Sequence, residues 1–277
     1  MLPLVIPSPD ISFVELGPIR IYFYALFMLA AIAAAILVNI ASGVALDIAA
    51  WAVPIGILGG RLYHVATHPS DYFYEGADLF RVLYVWEGGL AIFGSITFGA
   101  LGAWIGARRA GVSFGAFADA LAPGLLLGQV IGRIGNYFNQ ELFGAPTILP
   151  WGLQIDANNP AFPEGLPSST LFHPLFLYEM LWNLVGIAVV LGVERIARRR
   201  AGVAIGTYFL WYGIGRAWFE SFRLDPTELE LFGVKINIVT ALVAAIVGAW
   251  IIATSLNRKD SVPKSFNGKN LEQQSRD

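Results

Sequence analysis

The sequence predicts an all-α membrane protein of about seven transmembrane helices, with a small external cap and an interfacial arm. Three observations predict it. Of 277 residues, 56% are hydrophobic and 14% charged, where a soluble domain carries about a quarter. Seven apolar runs reach the ~20 residues a helix needs to cross the hydrocarbon layer. The 30 Gly suit close helix packing, and the 8 Trp and 10 Tyr suit the two interfaces. Too few charges remain to cover a soluble surface. The formal net charge of -2 is close to neutral, and no nucleic acid partner is expected. With no cysteine, the chain has no disulfide, thiolate metal site or cysteine nucleophile of its own.

Residues 1–19 have no basic start, and Pro3, Pro7, Pro9 and Pro18 interrupt any helix, so they do not resemble a cleaved signal peptide. The spans are expected at about 20–41, 46–67, 87–107, 117–138, 174–195, 203–222 and 234–256. The second and fourth are weaker, each holding an Arg and a Pro. Between spans two and three, residues 68–86 carry Tyr72, Phe73, Tyr74, Leu79, Phe80, Tyr84 and Trp86, which reads as an arm lying on the membrane surface. Asp119, near the start of span four, reads as its N-cap. The connection 139–173 has no Lys or Arg and reads as a folded cap. The chain thus divides into a transmembrane domain over 1–256, cap included, and a disordered tail over 257–277.

Lys and Arg set the orientation. The loops 107–116 and 195–202 and the tail carry eleven; the other side carries four: Arg20, Arg81, Arg223 and Lys235. The C-terminus is therefore expected in the cytoplasm and the N-terminus outside. The remaining three, Arg61, Arg133 and Arg216, fall inside spans. An arginine there costs ~2.5–3.5 kcal/mol on insertion scales. Such residues either snorkel, pair structurally or serve a function. This topology places all three in the outer leaflet, level with Tyr24, Phe93 and Glu179 at the outer ends of spans one, three and five. On span four, Gln129, Arg133, Asn136 and Gln140 form one polar stripe; on span six, Tyr208, Tyr212, Arg216, Glu220 and Arg223 form a second. Arg61, Arg133 and Arg216 against Glu179 and Glu220 leave one spare positive charge, enough for a phosphodiester. Arginine suits it through its planar fork.

The run Gly132-Arg133-Ile134-Gly135-Asn136-Tyr137-Phe138-Asn139-Gln140-Glu141-Leu142-Phe143-Gly144 resembles the signature of bacterial phosphatidylglycerol–prolipoprotein diacylglyceryl transferases, with Tyr137 in place of the usual Phe. Further matches are Gly59-Gly60-Arg61, Trp86-Glu87-Gly88-Gly89, His173-Pro174 with Leu177-Tyr178-Glu179, and Gly215-Arg216 with Glu220 and Arg223. The resemblance implies transfer of a diacylglyceryl group from phosphatidylglycerol to the lipobox cysteine thiol of a lipoprotein precursor, in the bacterial plasma membrane. It implies no metal or cofactor, and its partners are phosphatidylglycerol, the precursor's signal peptide and membrane lipids. Arg133, Asn136, Arg216 and Glu220 are the expected catalytic residues. Arg133 with Tyr24, Arg61, Asn139, Glu141, Gly144, Glu179 and Arg223 is expected to bind substrate. Phe93 stands where many relatives have a histidine, so either the base lies elsewhere or none is needed. Of His64, His68 and His173, the last matches a family position but equally suits a helix cap. A lipid transporter or flippase is the rival reading. It would place polar groups at the midplane and show paired repeats; here the polar layer is off-centre and no repeat is visible. Another phospholipid-using transferase would bring a histidine–aspartate pair or metal-binding carboxylates, and neither is visible.

Overall fold

The computed structural model describes residues 5–9, 11–16, 19–23, 26–27, 30, 44–74, 76–85, 88–197, 200–224, 230–231 and 233–257. Among them are six α-helices and several short strands. The helices are α1 (Val44–Thr67), α2 (Ile92–Arg109), α3 (Phe114–Phe138), α4 (Leu175–Ile196), α5 (Val203–Glu220) and α6 (Ile236–Asn257). Of these, α1, α3, α4 and α6 are long and apolar enough to cross a membrane. The other two, of 18 residues each, coincide with spans three and six. Of the first expected span, residues 24–25, 28–29 and 31–41, Tyr24 among them, lie outside the described residues, as do Trp86, Glu87 and the tail beyond 257.

The chain forms two compact units, 1–38 with 118–263, and 39–117 with 264–277. In the second unit, α1 lies along α2 at a distance only glycine allows. A Cβ on Gly56 would sit 3.2 Å from Ser95 O and 3.3 Å from Gly99 Cα, and one on Gly102 2.6 Å from Trp51 O. Two short 3-10 turns, Pro69–Asp71 and Leu79–Leu83, make up the described part of the arm. Phe73, Tyr74, Leu79, Phe80 and Leu83 are exposed there, whereas Tyr72 is buried. Helix α2 begins five residues later than the expected span, because Gly88 (φ +89°) and Gly89 (φ +69°) take left-handed conformations that no continuing helix adopts.

In the first unit, α3, α4, α5 and α6 carry the site. Buried Ala122, Leu126, Val190, Ala204 and Tyr208 form the core between α3, α4 and α5. Across α4 and α5, Trp182 and Trp211 stack at 4.2 Å, and each indole N–H donates to the other's carbonyl (3.3 and 3.1 Å). Each ring lies over a glycine of the facing helix, Trp182 on Gly215 and Trp211 on Gly186. Helices α5 and α6 approach closely at Gly213, where a Cβ would sit 2.6 Å from Ala245 N.

The strands are short. Strands β1 (Phe13–Leu16) and β2 (Ile19–Tyr22) form an antiparallel hairpin with Phe13 opposite Tyr22. Strands β3 (Pro146–Thr147), β4 (Leu153–Gln154) and β5 (Leu171–Phe172) form a sheet in the order β3-β5-β4. Phe143, Leu153, Ile155, Phe172 and Phe176 make a separate apolar core beneath it. Strands β6 (Glu230–Leu231) and β7 (Val234–Lys235) pair just before α6.

Two capping expectations are corrected. Asp119 lies inside α3 and caps a different helix: Gly202 N–H and Ile205 N–H, at the start of α5, donate to its two carboxylate oxygens at 2.5 and 2.9 Å. The first turn of α5 opens on Gly202 (φ +93°) and has no local side-chain acceptor, so the carboxylate of α3 takes the orphan N–H groups. His173 is not a helix cap either. Pro174 occupies the N-cap position of α4, and the His173 backbone pairs with Gly144 and Ala145 at the sheet edge.

Candidate active site

Three helices of the first unit turn a polar edge toward one another. Residues four apart on a helix share a face, which aligns Gln129 with Arg133 on α3, Glu179 with Asn183 on α4, and Tyr212 with Arg216 and Glu220 on α5. Gln129 donates to the Tyr208 hydroxyl (3.0 Å), tying α3 to α5. The Arg133 guanidinium pairs with Glu179 Oε2 across α3 and α4, and its other terminal nitrogen donates to Asn136 Oδ1 at 3.1 Å.

Glu220 centres a second node. It is 2% exposed. Arg216 and Arg223 both reach its Oε2, at 2.9 and 3.0 Å, and Asn237 of α6 donates to Oε1 at 3.0 Å. Asn237 was not singled out in the sequence; its only signal is an asparagine opening an apolar run. The carbonyl of Arg223 accepts from Lys235 Nζ (3.1 Å).

The signature segment leaves α3 as a tight polar knot. Asn136 donates to Glu141 Oε1 (2.7 Å), and Asn139 reaches the same oxygen at 3.4 Å. Gln140 and Leu142 have φ of +50° and +59°. A left-handed leucine is strained and persists only where its surroundings impose it. Here Gln140 donates to Pro9 O and accepts from Asp156 N–H. Gly144 forms a backbone bridge to Arg223. A Cβ on it would lie 3.0 Å from that of His173. The structure thus joins Asn136, Asn139, Glu141 and Arg133 in one hydrogen-bonded chain, and brings Gly144 to Arg223 of the second node.

Between α3, α4 and α5 lies a small cavity of about 20 Å³, lined by Gln129, Arg133, Glu179, Asn183, Tyr212 and Arg216, with room for roughly one water. Trp182 and Phe219 also border it. The Arg133 and Arg216 side chains are 18% and 17% exposed, against 6% and 3% for Glu179 and Glu220. The carboxylates are the more deeply buried partners, and the two arginines keep a little more access and line the cavity. Arg133, Arg216, Arg223 and Lys235 against Glu141, Glu179 and Glu220 leave one positive charge in excess, which suits an anionic ligand held by planar donor forks.

Arg61 belongs to the second unit and is engaged differently. It is buried, and its donors reach the carbonyls of Arg81 (2.5 Å), Val82 (2.7 Å), Gly88 (2.7 Å) and Gly89 (3.2 Å). Its guanidinium lies 4.9 Å from the centre of the Tyr72 ring. This arginine ties the arm and the Gly88-Gly89 turn to α1. A larger cavity of about 370 Å³ beside it includes His64, Asp71 and Arg81. There the buried cation has spent its forks on carbonyls. Phe93 is 55% exposed. His64 stacks on His68.

Residues 12–254 match the family model described as prolipoprotein diacylglyceryl transferase. A phosphatidylglycerol–prolipoprotein diacylglyceryl transferase of Leifsonia xyli subsp. xyli is 47% identical over 271 residues, spanning 91% of this chain and 81% of the relative. Like-named proteins of Cutibacterium acnes and Streptomyces coelicolor are 43% and 42% identical, spanning 92% and 93% of this chain and 88% and 83% of theirs. With the family model covering nearly the whole chain and relatives of this identity matched over most of their length, the chain belongs to the prolipoprotein diacylglyceryl transferase family.

Proposed function

We propose that this protein transfers the diacylglyceryl group of phosphatidylglycerol to the lipobox cysteine thiol of a lipoprotein precursor. The precursor's sulfur attacks the glycerol methylene that carries the phosphate. A carbon–sulfur bond forms, the carbon–oxygen bond breaks, and its electron pair leaves on glycerol phosphate. A thiol with an ordinary pKa of ~8.5 is partly ionised near neutrality. The remaining demand is on the leaving phosphate, whose developing charge needs fixed donors.

The observation that carries the reading is the pair of cavity-lining arginines, Arg133 and Arg216, each ion-paired to a buried carboxylate, Glu179 and Glu220. Arg133 grips the phosphate and stabilises the leaving group. Arg216 shares that charge, and Glu220 with Arg223 and Asn237 fixes it in place. Asn136 orients Arg133, and Glu141 holds Asn136 and Asn139 at the start of the cap. Gly144 lets the cap meet Arg223. Tyr24 contacts the lipid headgroup. Arg61 holds the arm and the Gly88-Gly89 turn to α1.

On this reading the chain has seven spans in the bacterial plasma membrane, with a catalytic domain over 1–256, an external cap over 139–173 and a cytoplasmic tail over 257–277. Its N-terminus is outside, and the site opens in the outer leaflet. The relatives are named as transferases, which gives the flippase reading no support. The test is incubation of the purified protein with labelled phosphatidylglycerol and a lipobox peptide, read by mass spectrometry. The expected product carries a diacylglyceryl mass on cysteine in a base-stable thioether; an unmodified peptide, or a base-labile ester, overturns the reading.

A further inference from the structure

The cavity between α3, α4 and α5 contains polar groups that charge balance does not explain. Glu179 is 5% exposed. Its Oε2 pairs with Arg133, but its Oε1 is fully buried and has no hydrogen-bond donor among the described residues. Buried polar atoms in native proteins are almost always paired, so an orphan calls for an explanation. One turn further along α4, Asn183 is 6% exposed and lines the same cavity. No hydrogen bond joins its side-chain amide to the described residues, although only Glu179 Oε1 is both unpaired and fully buried. The same helix face therefore offers two unpaired polar groups, with Cβ atoms roughly 5–6 Å apart.

Their chemistry is complementary to a particular ligand. An ionised carboxylate oxygen only accepts, whereas an amide both donates and accepts. Two neighbouring hydroxyls, each a donor and an acceptor, satisfy both at once. Resting on the function proposed above, we infer that Glu179 and Asn183 recognise the vicinal diol of the phosphatidylglycerol headgroup, while Arg133 beside them holds its phosphate. The cavity is too small for the headgroup with its side chains as they stand, so the headgroup enters past the partly exposed Arg133 as that side chain shifts, while Arg216 stays fixed by Glu220. The diol stays on glycerol phosphate when the carbon–oxygen bond breaks. These contacts thus hold the leaving group, and they select one monoanionic phospholipid among others of equal charge.

The experiment compares phosphatidylglycerol with phosphatidylpropanol, which has the same charge and a three-carbon headgroup without hydroxyls. Each is supplied to the full chain in mixed micelles with a lipobox peptide. The wild-type protein is expected to prefer phosphatidylglycerol roughly 10- to 100-fold in kcat/KM, as hydrogen bonds to a charged group and an amide allow. N183L leaves the Arg133–Glu179 pair in place and is the deciding variant. It should lower transfer from phosphatidylglycerol and leave transfer from phosphatidylpropanol nearly unchanged, bringing the preference to within about threefold of unity. E179Q should shift the ratio the same way. Equal use of the two lipids by the wild type, or an equal loss on both in N183L, overturns the inference and leaves the transferase reading intact. Transfer from neither lipid by the wild type overturns the transferase reading itself.

Discussion

Replacing Arg133 by glutamine separates a catalytic arginine from a structural one. In the native protein its two terminal nitrogens serve Glu179 and Asn136. Losing them strands a carboxylate that is 5% exposed. Removing one partner of a buried ion pair costs ~3–5 kcal/mol, and Asn136 Oδ1 loses a hydrogen bond worth about 1 kcal/mol. R133Q should therefore be clearly destabilised, and any loss of turnover would be ambiguous. Adding E179Q removes the stranded charge. The double variant R133Q/E179Q should recover most of the ~3–5 kcal/mol, read as thermal unfolding in detergent by tryptophan fluorescence. Turnover should not recover with it. A missing transition-state donor costs ~2.7–4 kcal/mol, or roughly a hundred- to thousand-fold in rate, and no glutamine replaces a guanidinium fork. E179Q alone completes the cycle and should retain more activity than either variant lacking Arg133. If R133Q/E179Q regains stability and near wild-type transfer together, Arg133 is only the counter-ion of Glu179, and Arg216 must carry the phosphate.

Asp119→Ala removes two hydrogen bonds at the start of α5 and should cost about 2 kcal/mol of stability, with turnover near wild type well below the unfolding transition; an unchanged melting temperature would refute the cap. Gly215→Ala drives a Cβ into the Trp182 indole, so it should cost ~1–3 kcal/mol by overpacking and shift the tryptophan emission; unchanged emission and stability would show that the clasp yields freely. Phe93→Leu should keep at least half of wild-type transfer, since an exposed phenyl ring moves no proton. Its complete inactivation in a folded protein would give Phe93 a role in the site. On the proposed orientation, drawn from the basic asymmetry, a C-terminal alkaline phosphatase fusion should be inactive; active phosphatase would invert the orientation.

Residues on long apolar helices were legible in the sequence, because a charge is anomalous there and four-residue spacing fixes its face. Arg133, Glu179, Arg216 and Glu220 stood out for that reason, and the structure joins them in the pairs Arg133–Glu179 and Arg216–Glu220. Arg61 was equally anomalous, yet its partners are backbone carbonyls some 20 to 28 residues away, which no side-chain pattern encodes. The service of Asp119 to α5 crosses 83 and 86 residues; in the sequence it looks like any acidic residue near a helix start. Asn183 was hidden because an asparagine in an apolar helix becomes informative only once its neighbours are known to leave it unpaired. The cap strands have two residues each, shorter than any periodicity can reveal.

The two carboxylates of the site are not equivalent, and the difference says how the cluster divides its work. Glu220 is saturated. One oxygen takes Arg216 and Arg223 and the other takes Asn237, so it ties the end of α5 to the start of α6. Any movement of Arg216 must break its contact with a carboxylate that two other groups, Arg223 and Asn237, hold in place, which keeps that guanidinium preorganised. Glu179 is half-used. It holds Arg133 with one oxygen and leaves the other buried and unpaired, beside the Asn183 amide that lines the same cavity. A cluster built only for stability would have spent those groups on each other or replaced them with apolar ones, since a half-satisfied buried network is worse than an apolar core. The saturated half is thus suited to positioning and the unsaturated half to a ligand. Charge excess and orphan acceptors together describe a ligand that is anionic at one end and hydroxylated at the other, as glycerol phosphate is.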